Sequence, residues 1–151
     1  TEVSIIELLM EIHQYFLHRI PQKKIDLKLY IEPQEDVVLP VNAELLSWAI
    51  ENIVKNAIDS IDIEKEKQVV EIKLSVNEKY AFIDISDTGK GISSKIQKYI
   101  FKPGFSTKEH GWGLGLALAK RIVEEYHKGK ILVSSSTNNG TKITIQLNKT
   151  L

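Results

Sequence analysis

The sequence has no cysteine, which excludes disulfides and thiolate-bound metals and leaves the fold to an apolar core. No apolar run approaches the roughly 18 residues that a membrane-spanning helix needs, and no signal-peptide or lipidation pattern is present. An excess of one charge is also missing. The 20 basic residues balance 20 acidic ones, so the electrostatic argument for a nucleic-acid partner or a membrane surface falls away. These absences predict a cytoplasmic, soluble chain with no nucleic-acid partner and no direct membrane contact. A length of 151 residues suits one domain, 1–151, large enough to bury a core of its own. The chain starts at Thr1 and enters a helical pattern almost at once, which reads as a fragment cut from a longer protein.

What the sequence does have is strong periodicity. Ser4-Ile5-Ile6-Glu7 reads as a capping box, and Ile5, Leu8, Leu9, Ile12 and Phe16 follow at helical spacing, predicting a helix over 5–19 before Pro21. Alternation over 25–31 predicts a half-buried strand, and 37–39 a short extended piece beside it across a turn. Asn42 can cap a long helix to about Ile61. Strands are expected over 69–76 and 80–86, a short helix within 93–100, an apolar-faced helix over 114–127 ended by Gly129, and strands over 130–135 and 141–147 around Asn138-Asn139-Gly140. This order predicts an α+β fold, a two-layer sandwich with a mixed, mostly antiparallel sheet and about three helices on one face.

Two features go beyond fold. Six of the 8 glycines lie within 87–115, between a strand-like run and an apolar helical run, as expected where backbone N–H groups and a helix start cradle a phosphorylated ligand. The 19 residues between Gly91 and Gly111 are long for a passive connection and predict a lid. On the long helix, Asn52, Asn56 and Asp59 share one stripe. Asparagine is a poor helix former, so its presence points to hydrogen bonding or metal contact rather than to a solvated face, which would carry Lys and Glu. The P-loop pattern is absent, and Gly111-x-Gly113-x-Gly115 lacks the end of the dinucleotide fingerprint.

In order along the chain, Asn52-Ile53-Val54-Lys55-Asn56-Ala57, Asp87-Thr88-Gly89-Lys90-Gly91-Ile92, Phe101-Lys102-Pro103-Gly104-Phe105-Ser106-Thr107-Lys108 and Gly111-Trp112-Gly113-Leu114-Gly115-Leu116-Ala117 resemble the N, G1, F and G2 boxes of the catalytic domain of bacterial sensor histidine kinases. That domain belongs to a wider superfamily with gyrase, Hsp90 and MutL-type ATPases. The lid stretch is most similar to the nitrogen-regulation branch.

The resemblance implies ATP and Mg²⁺ as cofactors. It makes Asn56 the Mg²⁺ ligand and Asp87 the acceptor for the adenine amino group. It puts Gly89, Gly91 and Ile92 at the base, Gly111, Gly113, Leu114, Gly115 and Leu116 at the phosphates, Lys108 at the γ-phosphate, and Phe101 and Phe105 as pins of the lid. Asn52 stands where the superfamily's ATPases carry a glutamate base, and an amide cannot take a proton near neutral pH, so transfer is favoured over hydrolysis. Asp59 and Trp112 depart from the family pattern. None of His13, His18, His110 and His127 resembles a phosphoacceptor, so the implied partners are a separate dimerisation and phosphoacceptor domain of the parent protein and a response regulator. The rival readings are an anti-sigma-type serine kinase, a hydrolysing ATPase and a nucleotide-sensing pseudo-domain.

Overall fold

The computed structural model describes residues 2–20, 24–61, 64, 68–104, 115–137 and 139–150. A two-residue strand β1, Val3–Ser4, leads into α1, Ile5–Leu17. Ser4 caps this helix by accepting the Glu7 N–H at 3.2 Å, as the capping-box pattern predicts. Then come β2, Asp26–Ile31; β3, Val38–Leu39; and α2, Ala43–Ser60, capped by the Asn42 side chain, which accepts the Leu45 N–H at 2.9 Å.

The hairpin β4, Val69–Val76, and β5, Tyr80–Asp87, precedes α3, Ser94–Gln97. After it α4, Gly115–Lys120, continues as π-helical turns over Arg121–Tyr126, and the chain closes with β6, Lys130–Thr137, and β7, Gly140–Asn148. The residue with left-handed backbone after the π-helical turns is Lys128, at φ 59°, rather than Gly129. Gly129 serves instead by lacking a Cβ, which would come 2.3 Å from the Gln146 carbonyl.

Five strands form one sheet in the order β2-β4-β5-β7-β6, in which the β2–β4 pair is parallel and the others antiparallel. The expected pairing of 25–31 with 37–39 is not what forms: β3 pairs with β1 instead, Val3 facing Leu39. A parallel pair requires a crossover, and α2 supplies it between β2 and β4.

Strict alternation along β4 and β5 turns Val70, Ile72, Leu74, Ala81, Ile83 and Ile85 to one face, where α1 and α2 cover them. From α2 itself Leu46, Ala49, Ile50, Ile53, Val54, Ala57 and Ile58 enter this core. The expected α+β fold, a mixed and mostly antiparallel sheet with helices packed on it, is therefore the one observed.

Candidate nucleotide site

The buried stripe of α2 fixes its opposite stripe. With Ile53 and Ala57 held in the core, Asn52 and Asn56 are half-buried at its edge, one helical turn apart. The two amides differ in their commitments. Asn52 donates through Nδ2 to the Trp48 carbonyl at 3.1 Å, which leaves its Oδ1 facing the start of α4. A Cβ on Gly115 would come 3.2 Å from that oxygen. Asn56 makes no side-chain hydrogen bond among the described residues, so its carbonyl oxygen is uncommitted.

At the other end of α2, the turn after β5 comes as close. The Asp87 Oδ1 accepts the Gly89 N–H at 2.9 Å, an Asx-type turn that folds the chain back on itself. Thr88 ties this turn to the edge of β4: its N–H reaches the Val69 carbonyl at 3.1 Å, and its Oγ1 accepts the Val69 N–H at 2.9 Å. The turn lies so near α2 that a Cβ on Gly89 would be 2.4 Å from the Ser60 carbonyl. Gly91 has φ +78°, and a Cβ there would fall 1.9 Å from the Thr137 carbonyl. The close approach these two glycines permit is thus of protein to protein, and it sets the turn in place between α2 and β6.

The Asp87–Gly91 turn and the first residue of α4 therefore abut α2 at Ser60 and at Asn52, eight residues and about 12 Å apart, with Asn56 midway. Of the remaining expected positions, Ile92 follows the first turn. Its N–H is held by Ser136 Oγ at 2.6 Å, and its carbonyl accepts from Gln97 Nε2 at 2.9 Å. Phe101 and Leu116 are partly buried against the core, and the Lys120 ammonium lies 5.7 Å from the centre of the Phe101 ring. Phe105, Lys108, Gly111, Gly113 and Leu114 lie outside the described residues.

Ser60 and Ser136 were not anticipated. Ser136 Oγ also shares a hydrogen bond of 2.9 Å with Thr141 Oγ1 across the β6–β7 pair, so it joins the hairpin to the turn. The one available signal was the hydroxyl-rich run Ser134-Ser135-Ser136-Thr137. His127 follows the last of the π-helical turns. Its Nε2 accepts the Asn42 N–H at 3.0 Å, while its Nδ1 lies 3.0 Å from the Ile122 carbonyl. An accepting Nε2 requires the neutral ring with hydrogen on Nδ1. His13 is likewise held, with Nε2 2.8 Å from the Leu27 carbonyl.

A mixed sheet thus lies under helices, with a half-buried amide stripe between the Asp87–Gly91 turn and the glycine that begins α4. The family described as histidine kinase-, DNA gyrase B- and HSP90-like ATPase matches residues 41–151, and the chain belongs to it. The signal transduction histidine-protein kinase AtoS of Escherichia coli is 37% identical over 120 residues, which is 78% of this chain and 19% of that protein. Sporulation kinase D of Bacillus subtilis is 32% identical over 123 residues, 82% of this chain and 24% of that one. The chain thus spans about a quarter or less of these relatives. The catalytic domain of histidine kinase ThkA superposes with a TM-score of 0.87 at 26% identity, covering 99% of this chain and 95% of that one.

This is a histidine-kinase-type ATP-binding catalytic domain. The relatives are sensor kinases of several kinds, among them sporulation kinases, a heme sensor and FixL, so the likeness of the lid to the nitrogen-regulation branch does not single that branch out. No described helix is long and apolar enough to cross a membrane.

Proposed function

We propose that the chain binds Mg-ATP along α2 and transfers its γ-phosphate to a histidine on a separate dimerisation and phosphoacceptor domain of its parent sensor kinase, from which a response regulator takes it. The observation that carries this is the uncommitted Asn56 amide midway between the Asp87–Gly91 turn and the glycine that begins α4, which touch the same helix about 12 Å apart. A hard oxygen donor offered singly suits Mg²⁺, which keeps most of its waters and binds through few protein groups. When bound, the ion would neutralise charge on the β- and γ-phosphates. Asp87, oriented by the Gly89 N–H, would accept the adenine amino group.

Asn52 sits against the start of α4, on the phosphate side of this arrangement, and its amide offers no base for water. An incoming imidazole nitrogen needs no such base. It attacks the γ-phosphorus in line, the bond to the β–γ bridging oxygen breaks, and ADP leaves with that electron pair. Two relatives in structure support the assignment of partners by analogy: ThkA has been solved in complex with response regulator protein TrrA, and full-length ShkA in complex with AMPPNP.

Calorimetric titration with ATP, with and without Mg²⁺, tests the site. Binding should require both Asn56 and Asp87, and Asp87→Ala should in addition lose the preference for ATP over GTP. Unchanged affinity in Asn56→Ala and Asp87→Ala would remove the site assignment.

A further inference from the structure

Neutral overall, the chain is uneven locally. From residue 88 to 104 it carries Lys90, Lys95, Lys98 and Lys102 and no acidic residue, so the remainder holds 16 basic against 20 acidic residues. All four lysines are exposed, and among the described residues no carboxylate lies within ion-pair distance of any of them. Elsewhere Lys28, Lys73, Lys120 and Arg121 each have a carboxylate within 4 Å. Two of the unpaired ammonium groups are gathered round one ring, Lys98 Nζ at 5.2 Å and Lys102 Nζ at 4.9 Å from the centre of Tyr99. That ring helps to hold like charges close together without a counter-ion.

This basic strip begins inside the Asp87–Gly91 turn, at Lys90, and continues along α3 and the turn after it. It therefore starts three residues from Asp87, on a chain that is otherwise net negative. We propose that Lys90, Lys95, Lys98 and Lys102 form an electrostatic entrance that speeds the association of the nucleotide, an anion, without contacting it in the bound state. The inference rests on the nucleotide reading of the site. Unpaired surface charge at a cleft raises the local concentration of an oppositely charged ligand and its on-rate. The effect fades as salt shortens the screening length. Contacts that persist in the complex would act on the off-rate instead.

Stopped-flow mixing with N-methylanthraniloyl-ATP and Mg²⁺ reads the two rates separately. In Lys98→Gln/Lys102→Gln, the association rate at low ionic strength should fall about three-fold, and in Lys98→Glu/Lys102→Glu about ten-fold. The dissociation rate should stay as in the unaltered chain. The variants should converge with it near roughly 0.5 M salt, where the screening length is only a few ångströms.

Lys79→Gln/Lys149→Gln removes the same charge at the far end of β5, about 25 Å away. The Lys149 N–H binds the Lys79 carbonyl at 2.9 Å there, and this variant should associate normally. An equal loss in both double variants would show a net-charge effect and overturn the proposal, as would an unchanged on-rate or a change confined to the off-rate. If the unaltered chain does not bind the analogue at all, the nucleotide reading itself has failed rather than the entrance.

Discussion

Gly115 stands against the carboxamide of Asn52, so closely that a Cβ on the glycine would lie 3.2 Å from Oδ1. Asn52 is meanwhile tied by its Nδ2 to the Trp48 carbonyl one turn back, so it has little freedom to retreat. The first residue of α4 and the first amide of the stripe therefore share one space, and the helix start is set by the amide.

Gly115→Ala follows from this contact. A methyl group there must push the Asn52 amide by a few tenths of an ångström, while alanine suits a helix better than glycine by roughly 0.5–1 kcal/mol. Thermal denaturation should show stability kept or slightly raised, and phosphotransfer should fall by about ten-fold with ATP affinity changed much less. Loss of stability alongside loss of activity would mean that the contact is mere packing.

Gly91→Ala should behave in the opposite way. Its backbone is left-handed at φ +78°, and the added Cβ would collide with the Thr137 carbonyl at 1.9 Å. Strain and displacement together should cost about 2–4 kcal/mol in chemical denaturation. A variant as stable as the parent would mean that the turn and β6 are not packed as described.

The link between Asn42 and His127 joins the cap of α2 to the end of the π-helical turns. Removing the ring in His127→Ala leaves the half-buried Asn42 N–H without its acceptor. It should destabilise the chain by about 1–3 kcal/mol in a denaturant titration. His18→Ala, at the exposed end of α1, should change stability by about 0.5 kcal/mol or less.

These contrasts also show what the sequence carried and what it did not. The long helix, its Asn42 cap and the Asn52/Asn56 stripe were legible because each depends on residues within a few turns of one another. Strand positions were legible for the same reason, but pairing was not. That β3 pairs with β1 rather than β2 is decided by contacts between residues such as Val3 and Leu39, 36 positions apart. The π-helical turns over Arg121–Tyr126 kept an apolar face that reads like an ordinary helix. Ser60 and Ser136 gain their roles only from the neighbours the fold brings them, Gly89 and Ile92. The four ordered boxes led to the family, while the lid stretch did not single out a branch of it, since the relatives are sensor kinases of several kinds.

The segment 93–110 should close over bound nucleotide. Its described part has little to hold it in place. α3 is four residues long, Ser93 makes no side-chain cap, and Ile100 is the one buried apolar side chain in 93–104. Few buried contacts mean low local stability, so amide hydrogen exchange should be fast without ligand and slowed with an ATP analogue and Mg²⁺. Equal protection in both states would contradict a lid.

The most direct test of the central claim is the chemistry of the phosphorylated product. The chain is incubated with Mg²⁺ and γ-labelled ATP, alone and with the phosphoacceptor segment of its parent protein. The account predicts little hydrolysis and no labelling of the chain itself. It predicts label on the added segment that is lost in acid and kept in base, as expected of phosphohistidine, and absent with Asn56→Ala. Vigorous hydrolysis by the chain alone would contradict the account in favour of an ATPase, and an acid-stable product on a serine would contradict it in favour of a serine kinase.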